Sequence, residues 1–266
     1  MTLFDEEDGG SGSATGDAPS RCRLVIAYDG TDFRGYATQP DVRTVEGVLA
    51  EALEKVLRRP AAKLTCAGRT DAGVHAWGQV VSFDAATDAG IVPDRLRASL
   101  NGMLAPEVVV RSVELAEPGF DARRSAQWRT YTYAVVNRPV PDPFLARYAW
   151  WVPEPIDLPA LRLGADPFVG EHDFAAFCRK GAEGSTTTRR VLASRWVAAE
   201  DGVLRYEITA TAFCWQMVRS VVGTLVDVGV GKIRPGDLLR IIRSRDRAAA
   251  GRLAPPHGLC LWEVGY

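Results

Sequence analysis

The chain is short of lysine and histidine, has no surplus of either charge, and holds no long apolar run. Each shortage excludes something. No stretch of about 20 consecutive apolar residues occurs, so no membrane-spanning helix is expected. The five cysteines (Cys22, Cys66, Cys178, Cys214 and Cys260) are odd in number, widely spaced and never arranged as Cys-x-x-Cys. That excludes a disulfide scaffold and a zinc ribbon, and a reducing cytoplasm is the expected location. His75, His172 and His257 lie far apart and show no metal-ligand spacing, so no metal site is expected. The N-terminus is acidic and rich in Gly and Ser, the opposite of a signal peptide. The formal net charge of −1 excludes a strongly basic, indiscriminate nucleic-acid binder.

What remains is an ordinary globular composition, 47% hydrophobic and 24% charged over 266 residues, enough for one large or two small domains. The charge is unevenly placed. Residues 1–20 carry five acids and no base, which leaves the rest of the chain at +4. Residues 21–118 sum to −1 and residues 119–266 to +5. The bases are 28 arginines and 4 lysines. Arginine presents a planar fork suited to phosphate oxygens and base faces, although codon bias explains such a ratio equally well.

Residues 1–20 read as a disordered acidic tail. Beyond it, Cys22–Tyr28 is apolar and β-branched, a strand closed by the turn pair Asp29-Gly30. Thr44 caps a helix to about Arg58, with apolar residues at helical spacing. Leu64–Ala67 and Val80–Phe83 are strands, Pro93 and Asp94 open a helix through Leu104, and Val108–Val113 is a strand. The order β-α-β-β-α-β is that of a ferredoxin-like unit, with helices on one face of an antiparallel sheet. The second half repeats it in outline. Trp128–Val136 is a strand and Leu158–Leu163 a helix, and Val191–Val197 pairs with Leu204–Thr211 as a hairpin. Cys214–Val228 is a helix with one apolar stripe, a second helix follows Pro235, and Leu259–Val264 is the last strand. The expected class is α+β: halves at 21–118 and 119–266 joined edge to edge into one extended antiparallel sheet, with a cleft across the middle.

The sharpest local feature is Gly68-Arg69-Thr70-Asp71-Ala72-Gly73-Val74-His75, directly after a strand. Glycine permits positive φ and close backbone approach, so the loop can hold a carboxylate at a sharp turn beside a ligand. An Asp that merely bonds its own turn reads the same way from composition alone. Ala67 to Ala76, continued by Gly78-Gln79-Val80-Val81-x-Phe83, resembles the signature of the TruA family of tRNA pseudouridine synthases. Other family-like pieces follow in order. Tyr28-Asp29-Gly30-Thr31-x-Phe33-x-Gly35 lies upstream; Phe120-x-Ala122-Arg123-x-Ser125-Ala126 and Arg129-x-Tyr131-x-Tyr133 open the second half. Gly170-x-His172-Asp173-Phe174, Thr186-x-x-Arg189, Phe213-x-x-x-Met217-Val218-Arg219 and Gly258-Leu259-x-Leu261 complete the series.

The resemblance implies two ferredoxin-like halves with a catalytic cleft between them, working as a homodimer. It implies an isomerase that detaches uracil from its sugar, turns it and rejoins it through carbon, at nucleotides 38, 39 and 40 of the tRNA anticodon arm. It implies no metal or redox cofactor. Asp71 falls at the nucleophile position, with Arg69 and Arg219 as its ion-pair partners, Tyr131 as the active-site tyrosine and Leu259 as an apolar wall. An aspartate of ordinary pKa, about 3.9, is ionised at neutral pH and needs aim more than a separate base. Extruding a base costs a few kcal/mol, and one aromatic stack of ~1–3 kcal/mol offsets much of it. Phosphate contacts supply the rest; the candidates are Arg34, Arg123, Arg129, Lys180, Arg189 and Arg190. The chain departs from the family pattern at Tyr36-Ala37, at Trp215-Gln216 and at Ser220. A synthase of the same chemistry acting on another RNA position, or a non-catalytic RNA-binding protein, are the competing expectations.

Overall fold

A computed structural model describes residues 20–60, 63–85, 90–179, 186–199 and 202–266. The tail expected at 1–20 lies outside the described residues except for Ser20, which opens the first strand. The first half runs β1 (Ser20–Tyr28), α1 (Val45–Leu57), β2 (Thr65–Cys66), β3 (His75–Ala85), α2 (Pro93–Leu104) and β4 (Val108–Leu115). Local chemistry sets these boundaries. The Thr44 hydroxyl accepts the Gly47 N–H at 3.2 Å and caps α1. Arg58 ends α1 in the left-handed conformation, its N–H returning to the Glu54 carbonyl. Pro93 sits in the first turn of α2, where its missing N–H costs nothing. Val45, Leu49, Ala52 and Leu53 from α1 and Leu96 and Leu100 from α2 are buried. They join Cys22, Leu24 and Ile26, the alternate residues of β1 that face the core.

The second half comprises β5 (Trp128–Val136), β6 (Trp150–Trp151), α3 (Leu158–Ala165), β7 (Gly170–Asp173), β8 (Thr188–Ala198), β9 (Val203–Ala210), α4 (Met217–Gly229), α5 (Leu238–Ser244) and β10 (Leu259–Gly265). All ten strands form one sheet, ordered β4-β1-β3-β10-β5-β9-β8-β7, with β2 beside β3 and β6 beside β5. The four principal strands of each half therefore lie in the same order, 4-1-3-2: β4-β1-β3-β2 and β10-β5-β9-β8. This is the α+β architecture the element order implied. The expected hairpin is present as β8 and β9, with Trp196 opposite Tyr206. Its turn residues Glu200 and Asp201 lie outside the described residues.

Three details differ from expectation. The sheet is not wholly antiparallel: β10 meets β3 in parallel, through Cys260 opposite His75 and Leu261 opposite Ala76. This short seam joins the halves. The helix expected from Cys214 begins only at Met217, because Gln216 adopts positive φ (62°) and breaks the helical course. That helix is also buried nearly all round rather than along one stripe, and Arg219 alone among its thirteen residues is not buried. Among the described residues no helix is long and apolar enough to cross a membrane.

Candidate active site

The loop between β2 and β3 is fastened from several sides. The Gln79 side chain spans its base, donating to the Gly68 carbonyl at 2.6 Å. Thr70 is tied twice to the first half: its carbonyl accepts the Tyr36 N–H at 3.0 Å, and its hydroxyl lies 2.7 Å from that of Tyr28. The Asp71 carbonyl accepts the Val74 N–H at 3.1 Å, closing the turn, and Gly73 has φ 74°, a conformation glycine adopts at little cost. The upstream segment 28–36 is thus the cradle of the Asp71 loop. Two motif pieces separated in sequence make one structural unit.

Asp71 projects from this loop toward the second half. Its side chain is 28% exposed, and Oδ2 lies 3.3 Å from Nη1 of Arg219, itself only 12% exposed. Arg219 also donates through Nε to the Ala254 carbonyl at 2.8 Å, while its own carbonyl accepts the Ala254 N–H. The guanidinium is therefore held by the chain leading into β10 and presented to the carboxylate. Tyr131, on β5, is buried against Phe213, ring edge to face at 5.0 Å. Its hydroxyl lies beside Gly68, 3.6 Å from where a β-carbon on that residue would sit. Burial, assisted by the nearby Asp71 charge, pushes the Tyr131 hydroxyl well above the ordinary phenol value. It therefore remains protonated at neutral pH.

The structure brings together Asp71, Arg219 and Tyr131. It does not bring Arg69 to the carboxylate: Arg69 is exposed and forms no ion pair among the described residues. Its place is taken by Trp215, whose indole Nε1–H donates to Asp71 Oδ1 at 3.0 Å. Sequence reasoning missed this residue, since a Trp just before a helix carries no local signal of what it faces. At the departures from the family pattern, Tyr36 and Ser220 are buried, whereas the Trp215 side chain reaches the Asp71 carboxylate. Leu259 is buried in β10 opposite Tyr133, and Tyr131 pairs with Leu261, the next core-facing residue of that strand.

Arg129 corrects the expectation of a phosphate contact. It is 9% exposed and its guanidinium donates to the carbonyls of Ala67, Arg123, Ala126 and Thr211. Burial without an anionic partner pulls its pKa down. It clamps the entrance of the Asp71 loop to β5 and the end of β9, and has no donor to spare for RNA. Arg34, Arg123 and Arg190 are exposed and free of ion pairs among the described residues. Arg189 is half-buried, with Nη1 donating to the Thr188 carbonyl at 2.6 Å. Lys180 lies outside the described residues. No group of three or more potential metal ligands occurs among the described residues.

A carboxylate carried by one half of the sheet is paired with an arginine of the other, so the candidate site lies where the two halves meet. A family model described as tRNA pseudouridine synthase matches residues 24–121 and 165–266. The chain belongs to this family of isomerases. It is 45% identical over 268 residues to tRNA pseudouridine synthase A of Leifsonia xyli subsp. xyli, covering 94% of this chain and 93% of that one. It is 40% identical over 248 residues to tRNA pseudouridine synthase A of Bacillus subtilis, covering 92% and 99%. The crystal structure of the archaeal box H/ACA sRNP Nop10-Cbf5 complex contains a chain similar at 13% identity and a TM-score of 0.34, over 85% of this chain and 59% of that one; so low a score carries no inference.

Proposed function

We propose that the protein converts uridine to pseudouridine at positions 38, 39 and 40 of the tRNA anticodon stem-loop, as a cytoplasmic homodimer, with Asp71 as nucleophile. The observation that carries this reading is the hold on Asp71: a partly exposed carboxylate, pinned by Arg219 across the join of the halves and flanked by a protonated Tyr131. The reaction is an internal exchange. The bond from uracil N1 to the ribose C1′ breaks, a bond from C5 to C1′ forms, and the proton on C5 is lost while N1 gains one. Asp71 supplies the anion that holds the fragment through the exchange. Arg219 aims it. Tyr131 offers its ring edge and a hydroxyl proton to the extruded base. Exposed Arg34, Arg69, Arg123 and Arg190, with half-buried Arg189 and with Lys180, carry the phosphate contacts that hold the anticodon arm.

Unmodified tRNA transcripts incubated with the purified protein, then mapped with a pseudouridine-specific chemical probe, test the reading. Stops at 38, 39 or 40 are expected, absent with Asp71→Ala, whose tRNA affinity should stay within about tenfold because phosphate contacts dominate binding. Stops only at other positions would overturn the assigned substrate. Full turnover by the Asp71→Ala protein would overturn the nucleophile.

A further inference from the structure

Asp71 is held at both oxygens, and Arg219 accounts for only one of them. The other partner, Trp215, is held in turn. Arg179 lies over the indole, its guanidinium carbon 4.2 Å from the ring centroid, and the Arg179 N–H donates to the Trp215 carbonyl at 3.0 Å. One residue thus fixes both the backbone and the ring of Trp215. The backbone contributes a second device. Gln216, between Trp215 and α4, has φ 62°, a state that residues other than glycine seldom adopt and that gathers at functional sites. Without that break, residues 214–216 would continue the helix, as their sequence suggested. With it, the indole reaches the Asp71 loop. Trp215 is also 48% exposed. A tryptophan placed to fill space would be covered, so hydrophobic burial does not explain its position.

We propose that Trp215 is a positioning residue for the nucleophile. The inference rests on the assignment of Asp71 above. Arg219 binds one oxygen, and a carboxylate bound at one oxygen can still rotate about its own axis. The indole N–H on the other oxygen fixes the plane, and orientation of a reacting group is worth a large share of an enzyme's rate. The donor is neutral. A second cation there would make a stronger, charge-assisted pair and quench the nucleophile further; an indole orients the anion at smaller cost to its reactivity. Arg179 sets the indole rather than the carboxylate.

Trp215→Phe keeps the ring beneath Arg179 and removes only the N–H. In single-turnover assays with tRNA fully bound, the rate of pseudouridine formation should fall about tenfold while the Kd for tRNA stays within twofold. A wild-type rate in the Phe variant would overturn the proposal, as would an equal loss in Kd, which would make Trp215 an RNA contact. A second readout is independent of turnover. The indole N–H resonance of Trp215, assigned by its disappearance in Trp215→Phe, should shift on Asp71→Ala; an unmoved resonance would also overturn the proposal. Wild-type protein inactive on every tRNA would overturn the functional reading instead, which keeps the two failures distinct.

Discussion

Arg129 and Arg219 are both arginines of the basic second half, and charge alone does not separate them. Burial and partners do. Arg219 keeps a guanidinium nitrogen on Asp71, whereas Arg129 spends its nitrogens on four carbonyls. The two kinds of arginine should part in salt titrations. Arg190→Ala, which removes an exposed side chain, should lower the slope of log K for tRNA against log salt by about 0.7–0.9, one phosphate contact. Arg129→Lys should leave that slope unchanged and instead lower the midpoint of urea unfolding, because an ammonium cannot serve four carbonyls in a plane. A slope that falls equally in both variants would return Arg129 to the RNA surface. This difference was illegible in the sequence. Arg129 sits two residues from Tyr131, as a substrate contact would, and only the close approach of Ala67 and Thr211 reveals its clamp.

At the scale of elements, much of the fold could be read from local chemistry. Thr44 and Pro93 announce their helices, and the alternation in β1 announces a half-buried strand. β6 and β7, of two and four residues, are too short to show a period. The parallel seam was illegible for another reason: β3 and β10 are far apart in sequence, and their pairing follows from the assembly of both halves. Gly78 belongs to this seam. A β-carbon there would lie 2.4 Å from the Trp262 carbonyl oxygen of β10, closer than atoms can pack. Gly78→Ala should therefore force the strands apart and cost about 1–3 kcal/mol, as overpacking does, measured by urea unfolding. It should slow catalysis too, since the same strands bring Asp71 to Arg219. A variant as stable and active as wild type would mean the seam yields easily. The site itself was legible only in part. Asp71, Tyr131 and Arg219 came from the resemblance, while Trp215 depended on a backbone break at Gln216 that nothing in its neighbours forecasts.

For the whole molecule, the net charge of −1 is a sum over unlike parts: residues 1–20 at −5, and +4 beyond them. Repulsion between that acidic segment and RNA acts through solvent and is screened over about 10 Å at 0.1 M salt. Protein lacking residues 1–19 should bind tRNA several-fold more tightly at about 0.05 M salt and no differently at about 0.5 M, where the screening length is a few ångströms. Equal affinities at low salt would show that the acids stay away from the bound RNA.

The position of β10 has a consequence for the order in which the protein is made. Synthesis proceeds from the N-terminus, so the first half, through Leu115, leaves the ribosome while β10 has yet to be translated. Throughout that interval β3 lacks the strand that will lie against His75 and Ala76. A ribosome-bound fragment that ends before β10 has no parallel seam between the halves. The seam that joins the halves therefore arrives with one of the latest strands to be translated.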